Sequence, residues 1–108
     1  MLLEIRTYKI APGRLAEFLA AMDLAGPLLA EFGIDVVAAG PSLVPDEGDH
    51  AYLMRAFRTA QDRDAAEEAF YSSRAWREGP RAAVLAPIES YHTVVIEAEP
   101  AAIDALRR

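Results

Sequence analysis

Residues 2–22 read LLEIRTYKIAPGRLAEFLAAM, and the change of period inside this stretch decides the fold. Through Lys9 the chain alternates, with Leu3, Ile5 and Thr7 on one side of a strand and Glu4, Arg6 and Tyr8 on the other. Pro12-Gly13 then breaks it. Beyond the break, Leu15, Phe18, Leu19 and Met22 recur at the spacing of one apolar helical stripe, so a first helix is expected from near Gly13. Gly26-Pro27 is expected to kink or interrupt that helix, because proline lacks an amide proton and collides with the preceding turn. Leu28, Leu29 and Phe32 resume the stripe, and Gly33 is placed to end it.

The same strand-to-helix change recurs downstream. Ile34 to Ala39 reads as a second strand, with Pro41 and Pro45 making its exit irregular or an edge. Pro45-Asp46-Glu47-Gly48-Asp49 reads as a hairpin turn, and His50 to Arg58 as the third strand, partly apolar on both faces. Thr59-Ala60-Gln61-Asp62 has the form of a capping box. The helix that follows is expected to turn Ala66, Ala69 and Phe70 inward and Arg63, Asp64, Glu67 and Glu68 to solvent. It yields near Ser72-Ser73 to a helical piece around Trp76, and Gly79-Pro80 interrupts again. Arg81 to Ala86 forms a last turn before Pro87, and Glu89 to Glu97 supplies the fourth strand.

This order predicts an α+β fold: a ferredoxin-like βαββαβ unit with a four-stranded antiparallel sheet over residues 1–98, and a short C-terminal helix or tail over 99–108. The strands carry apolar or aromatic residues on both faces, whereas two helices cover one. The other face is expected to be buried by a second copy, giving a homodimer that joins through the open sheet face as a dimeric α+β barrel. Tyr8 and Leu53 are expected among the residues that meet across subunits.

Composition narrows the function. A chain of 108 residues, 53% hydrophobic, holds one domain and a single two-layer core. Seventeen acidic against eleven basic residues, a net charge of −6, disfavour a nucleic-acid partner, since such proteins owe most of their affinity to Lys and Arg. With no cysteine there is no disulfide framework, thiolate nucleophile or sulfur zinc site, a composition compatible with the cytoplasm. No segment approaches the roughly 20 apolar residues of a membrane span. Neither G-x-x-x-x-G-K nor G-x-G-x-x-G after a strand occurs, so no nucleotide cofactor is expected. The acidic turn beside His50 lacks the calcium-loop pattern and any H-x-x-x-H pair, and no metal is expected.

Three stretches resemble the NIPSNAP family: Glu4-Ile5-Arg6-Thr7-Tyr8-Lys9-Ile10-Ala11-Pro12-Gly13-Arg14, an Arg-x-Tyr strand running into a Pro-Gly turn; Tyr52-Leu53-Met54-Arg55-Ala56-Phe57, a third strand; and Phe70-Tyr71-Ser72-Ser73-Arg74-Ala75-Trp76, a helical region with a Ser and a Trp. The resemblance covers Leu2 to Glu97. It implies membership of the dimeric α+β barrel group, which also includes cofactor-free monooxygenases of antibiotic biosynthesis. It carries over a fold and a dimer, and no set of catalytic residues.

The candidate chemistry sits on the strands. Glu4, Arg6 and Tyr8 share a face that continues to Arg55, and a guanidinium beside a phenol in a semi-enclosed space suits an anionic or carbonyl-bearing ligand. The same residues equally suit a structural ion pair of Glu4 with an arginine, with Tyr8 at its rim. His92, beside Tyr91, is a candidate general base by its ordinary pKa, although no partner for a triad stands near it in sequence. Trp76 with Phe70, Tyr71 and Tyr91 could line a pocket between the second helix and the sheet. The catalytic candidates are thus Arg6, Tyr8, Arg55 and His92, and the ligand-binding candidates Arg6, Tyr8, Arg55, Trp76 and Tyr91. Three functions follow: a barrel protein binding a small, partly apolar molecule, a cofactor-independent monooxygenase or isomerase, or an interaction module without a ligand.

Overall fold

Strand β1, Leu2–Ile10, lies inside the sheet, paired along both edges. Its neighbours are β3, His50–Phe57, and β4, Ile88–Glu97; β2, Asp35–Pro41, completes the antiparallel order β2-β3-β1-β4. The computed structural model describes residues 1–44 and 47–108. Helix α1, Leu15–Glu31, and helices α2, Ala60–Ser72, α3, Arg74–Glu78, and α4, Arg81–Leu85, cover one face of the sheet, and α5, Pro100–Leu106, follows β4. This is the ferredoxin-like α+β arrangement that the alternating periods predict.

Register assigns the faces. Glu4 stands opposite Arg55 and Val95, Arg6 opposite Leu53 and Thr93, and Tyr8 opposite Ala51 and Tyr91, so these side chains point toward the helices. There Tyr8, Ile10, Phe18, Leu29, Leu53, Phe70 and Trp76 form the main core. Tyr8 and Leu53 are 5% and 2% exposed beneath helices, so the expectation that they meet across subunits is overturned. The alternation of β1 was read correctly, but not which of its two sides the helices cover.

The helix α1 runs unbroken through Gly26-Pro27, contrary to the expected interruption. Pro27 and Asp23, whose carbonyl loses the helical hydrogen bond, both lie on the exposed side, where water can replace the missing donor. Gly33 follows the helix at φ +72°, the left-handed conformation that releases the chain into β2. The expected turn at 45–49 falls in part on Pro45 and Asp46, outside the described residues. Its last residue ties the hairpin to the start of α1, since Gly13 N donates to Asp49 Oδ2 at 3.0 Å and Ile10 N to the Asp49 carbonyl at 2.8 Å.

At the start of α2, Thr59 Oγ1 accepts from Asp62 N at 3.0 Å, the cap expected there. Ser73 ends that helix and caps the next, its hydroxyl accepting from Trp76 N at 3.2 Å. A Cβ at Gly79 would lie 2.3 Å from the Ala75 carbonyl oxygen, so only glycine closes α3 this tightly before Pro80 opens α4. Within α2 the inward side differs from expectation: Ala69 is exposed, while Arg63 and Glu67 turn toward the sheet.

The second face is not bare either. Ile103 of α5, 1% exposed, packs on Leu3, Val37 and Ala56, with Ile5 and Met54 at the margin. Arg107 forms a two-toothed pair with Asp35 at 2.8 and 2.9 Å, fastening α5 to the edge strand β2. Away from α5 the face stays open, and on β4 it presents Val94 and Ile96, 44% and 41% exposed.

Candidate functional site

Between the short helices α2 to α4 and the β1–β4 side of the sheet lies a cleft of about 490 Å³. Arg6 and Tyr8 of β1, Tyr91 of β4, Glu67 and Tyr71 of α2, Trp76 of α3 and Arg81 of α4 contribute to its lining. Strand alternation delivers Arg6 and Tyr8 to it, and the break at Ser73 and Gly79 turns the chain so that Trp76 and Arg81 come from separate helices.

Arg6 is anchored on both sides. Its Nε donates to Thr93 Oγ1 at 3.0 Å, its Nη1 to the Tyr71 hydroxyl at 3.3 Å, and its guanidinium lies 5.0 Å from the centre of the Tyr91 ring. Tyr8 packs on Phe18 with ring centres 4.9 Å apart, and burial pushes its phenol up to about 12, so it stays protonated. Trp76 and Tyr71 meet edge to face at 5.5 Å, an apolar wall for a flat ligand.

Behind the cleft lies a charged cluster. Glu4 and Arg55 are both fully buried; Arg55 Nε donates to Glu4 Oε1 at 2.7 Å, and Arg63 Nε to Glu4 Oε2 at 2.7 Å. Arg55 Nη1 donates to the Tyr71 hydroxyl at 2.9 Å, so that hydroxyl accepts from two guanidinium groups. Glu67 completes the cluster: its Oε2 lies 3.2 Å from Arg63 Nε and 3.4 Å from Arg55 Nη2, and its Oε1 3.8 Å from Arg6 Nη2. Its Oε2 is nonetheless buried without a hydrogen bond.

The two carboxyls behave oppositely. Burial alone would raise Glu4, but the adjacent Glu67 carboxyl and the charges and hydrogen bonds of Arg55 and Arg63 bring it down to about 2. For Glu67, burial and the adjacent Glu4 carboxylate outweigh Arg55 and Arg63 and push it up to about 7. Between these two values the pair holds one proton, and it sits on Glu67.

The structure therefore gathers Arg6, Tyr8, Trp76 and Tyr91 at one cleft and sets Arg55 in the buried layer behind it. His92 stands opposite Thr7 on the other face of the sheet, remote from this constellation. Phe70 lies in the core, 1% exposed, and Tyr71 takes the cleft-facing place. Sequence reasoning missed Glu67 and Arg81. The signal for Glu67 was present: Arg63, Glu67, Phe70 and Tyr71 recur at helical offsets, and Phe70 is inward.

No curated protein matches the chain. Among solved structures, Atu4242 from Agrobacterium tumefaciens superposes with a TM-score of 0.82 at 19% identity, over 93% of this chain and 95% of that one. A NIPSNAP domain protein from Burkholderia xenovorans gives 0.78 at 20% identity over 93% and 96%. A candidate antibiotic biosynthesis monooxygenase from Bordetella bronchiseptica gives 0.72 at 22% identity over 91% and 96%. At such identities these likenesses establish the fold alone. The NIPSNAP family model matches residues 3–98, nearly the entire sheet-and-helix unit that builds the cleft, and the chain belongs to that family.

Proposed function

We propose that the protein binds a small anionic molecule with a flat apolar body in the cleft, and that it does so as a homodimer joined through the open face of the sheet. One observation carries the binding reading: two guanidinium groups, Arg6 and Arg81, line the cleft against a single carboxyl, Glu67, beside a wall of Tyr71, Trp76 and Tyr91. Such a lining favours an anion that can also stack. Arg6 is the clamp, Tyr8 and Tyr91 flank it, Trp76 supplies the wall, and Arg55 holds Tyr71 and Glu4 in place from behind. A module made only for self-association would need no cleft of about 490 Å³ on the helix side. For the dimer, the support is the exposed Val94 and Ile96 on a face that α5 covers only in part.

Trp76 is the one tryptophan of the chain, so its fluorescence reports on the cleft directly. Titration with phenylacetate should give a saturable change, and Arg6→Ala should weaken it at least about tenfold, the loss expected for one charge-assisted contact. Benzyl alcohol, with the ring but no charge, should bind far more weakly than phenylacetate. Equal affinity for the two compounds, or none for either, would overturn the reading.

A further inference from the structure

Glu67 is held inward by three arginines rather than by apolar packing. It stands on a helix face that could have met solvent, yet its carboxyl is turned in against Glu4 and Arg6 of β1, Arg55 of β3 and Arg63 of its own helix. Tyr71, one turn further along α2, bridges Arg6 and Arg55. Glu4 already takes the direct hydrogen bonds of Arg55 and Arg63, so a second carboxyl adds little to that pair. The inner oxygen of Glu67 makes no hydrogen bond, while the group itself lines the cleft beside Arg6. A carboxyl in this setting, lining the cleft with one oxygen free of hydrogen bonds, is well placed to exchange a proton with a molecule there.

We infer that Glu67 is the acid–base group of the cleft, carrying a proton between the carbon and the oxygen of an enolisable aryl α-keto carboxylate held by Arg6. The inference rests on the binding reading above and adds the substrate class and the reaction. As a carboxylate, Glu67 takes the proton from the carbon next to the carbonyl; the C–H bond breaks, its electron pair forms the C=C bond, and the carbonyl π pair moves to oxygen. Glu67 then returns that proton to the oxygen, giving the enol and regenerating the carboxylate, with no oxidant or co-reactant consumed. The developing charge on oxygen lies next to the guanidinium of Arg6. Both acceptor positions of the Tyr71 hydroxyl are filled by Arg6 and Arg55, which leaves its own proton to donate. Burial and the neighbouring Glu4 carboxylate set Glu67 near the midpoint of its titration at neutral pH, where one group serves as both base and acid.

The test uses phenylpyruvate in deuterated buffer. Broadening of its phenyl resonances reports binding, and exchange of its benzylic protons for deuterium reports enolisation in the same sample. The wild-type chain should bind and should accelerate exchange over buffer, with a rate that rises with pH through about 7. Glu67→Gln keeps the shape of the protonated side chain; it should bind within about threefold and lose at least about 100-fold of the acceleration. Glu67→Asp should recover part of it, and the near-ultraviolet circular dichroism of Trp76 should match in all three. Binding with no acceleration in the wild type, or with Glu67→Gln as fast as the wild type, overturns the inference and leaves the binding reading standing. Absence of binding overturns both.

Discussion

The two faces of this sheet solve opposite problems. Beneath α1 to α4 the strands bury Glu4 and Arg55 completely, with Arg6 and Arg63 alongside; the face partly under α5 buries Leu3, Val37 and Ala56 and leaves Val94 and Ile96 in the open. The covered face holds charge within its apolar core and the other leaves apolar side chains in water, neither of which burial alone would select. Removing two charges from water costs several kcal/mol per ion before their attraction returns any of it, so an apolar interior would have been the cheaper way to hold helices on a sheet. The contrast is the one the proposed binding role calls for: a charged interior bordering the cleft, and an apolar exterior that a second copy would cover.

The largest effect should come from removing one partner inside. Arg55→Met leaves Glu4 buried beside Arg63 alone and takes a donor from Tyr71, and urea unfolding should show a loss of about 3–5 kcal/mol. Pairing it with Glu4→Leu should restore a good part of that loss. If the single variant is as stable as the wild type, the interior charges are not coupled and the contrast between the faces fails.

A second, smaller effect should appear with pH. Glu67 titrates at about 7 in the folded chain against an ordinary value of 4.5, so it binds its proton more tightly when folded. The stability it contributes is complete below about pH 4.5 and is lost as pH rises through about 7. Glu4, held at about 2, works the other way: its contribution is present above 4.5 and lost as pH falls toward 2. Thermal unfolding of the wild type should therefore move down relative to Glu67→Gln by roughly 5–10 °C between about pH 5 and 8. Parallel curves would show that Glu67 ionises normally.

The smallest effect on stability is expected outside. Val94→Asp puts a charge on a side chain already 44% exposed, so the folded monomer should change by no more than about 0.5 kcal/mol. Light scattering should nevertheless show the particle mass halved, because a charge buried at a subunit contact is costly. An unchanged mass would mean that the dimer is joined elsewhere or is absent.

Legibility in the sequence followed the range of the interactions. Alternation from Leu3 to Tyr8, the Thr59 cap and the breaks at Ser73 and Gly79 are set within a few residues, and each was readable. Helix α1 passed through Pro27 because whether a missing hydrogen bond matters depends on which side of the helix meets water. Glu67 was misread because acidic residues on a helix are usually solvated; three arginines drawn from β1, β3 and α2 reverse that default, and only the fold brings them together. The spacing of Arg63, Glu67, Phe70 and Tyr71 shows that the helical stripe itself was visible. What alternation left open was which of the two strand faces the helices would take, and Tyr8 and Leu53 were misassigned for that reason.

The clasp between Arg107 and Asp35 bears on how this protein should be handled in the laboratory. A chain cut after residue 98, where the family match ends, would keep every wall of the cleft and still lose Ile103, worth about 1.5–3 kcal/mol of burial. Leu3, Val37 and Ala56 would then be wetted together, and the shortened protein would stick to itself for a reason foreign to the intact one. Oligomer size measured on such a fragment would describe the scissors rather than the molecule.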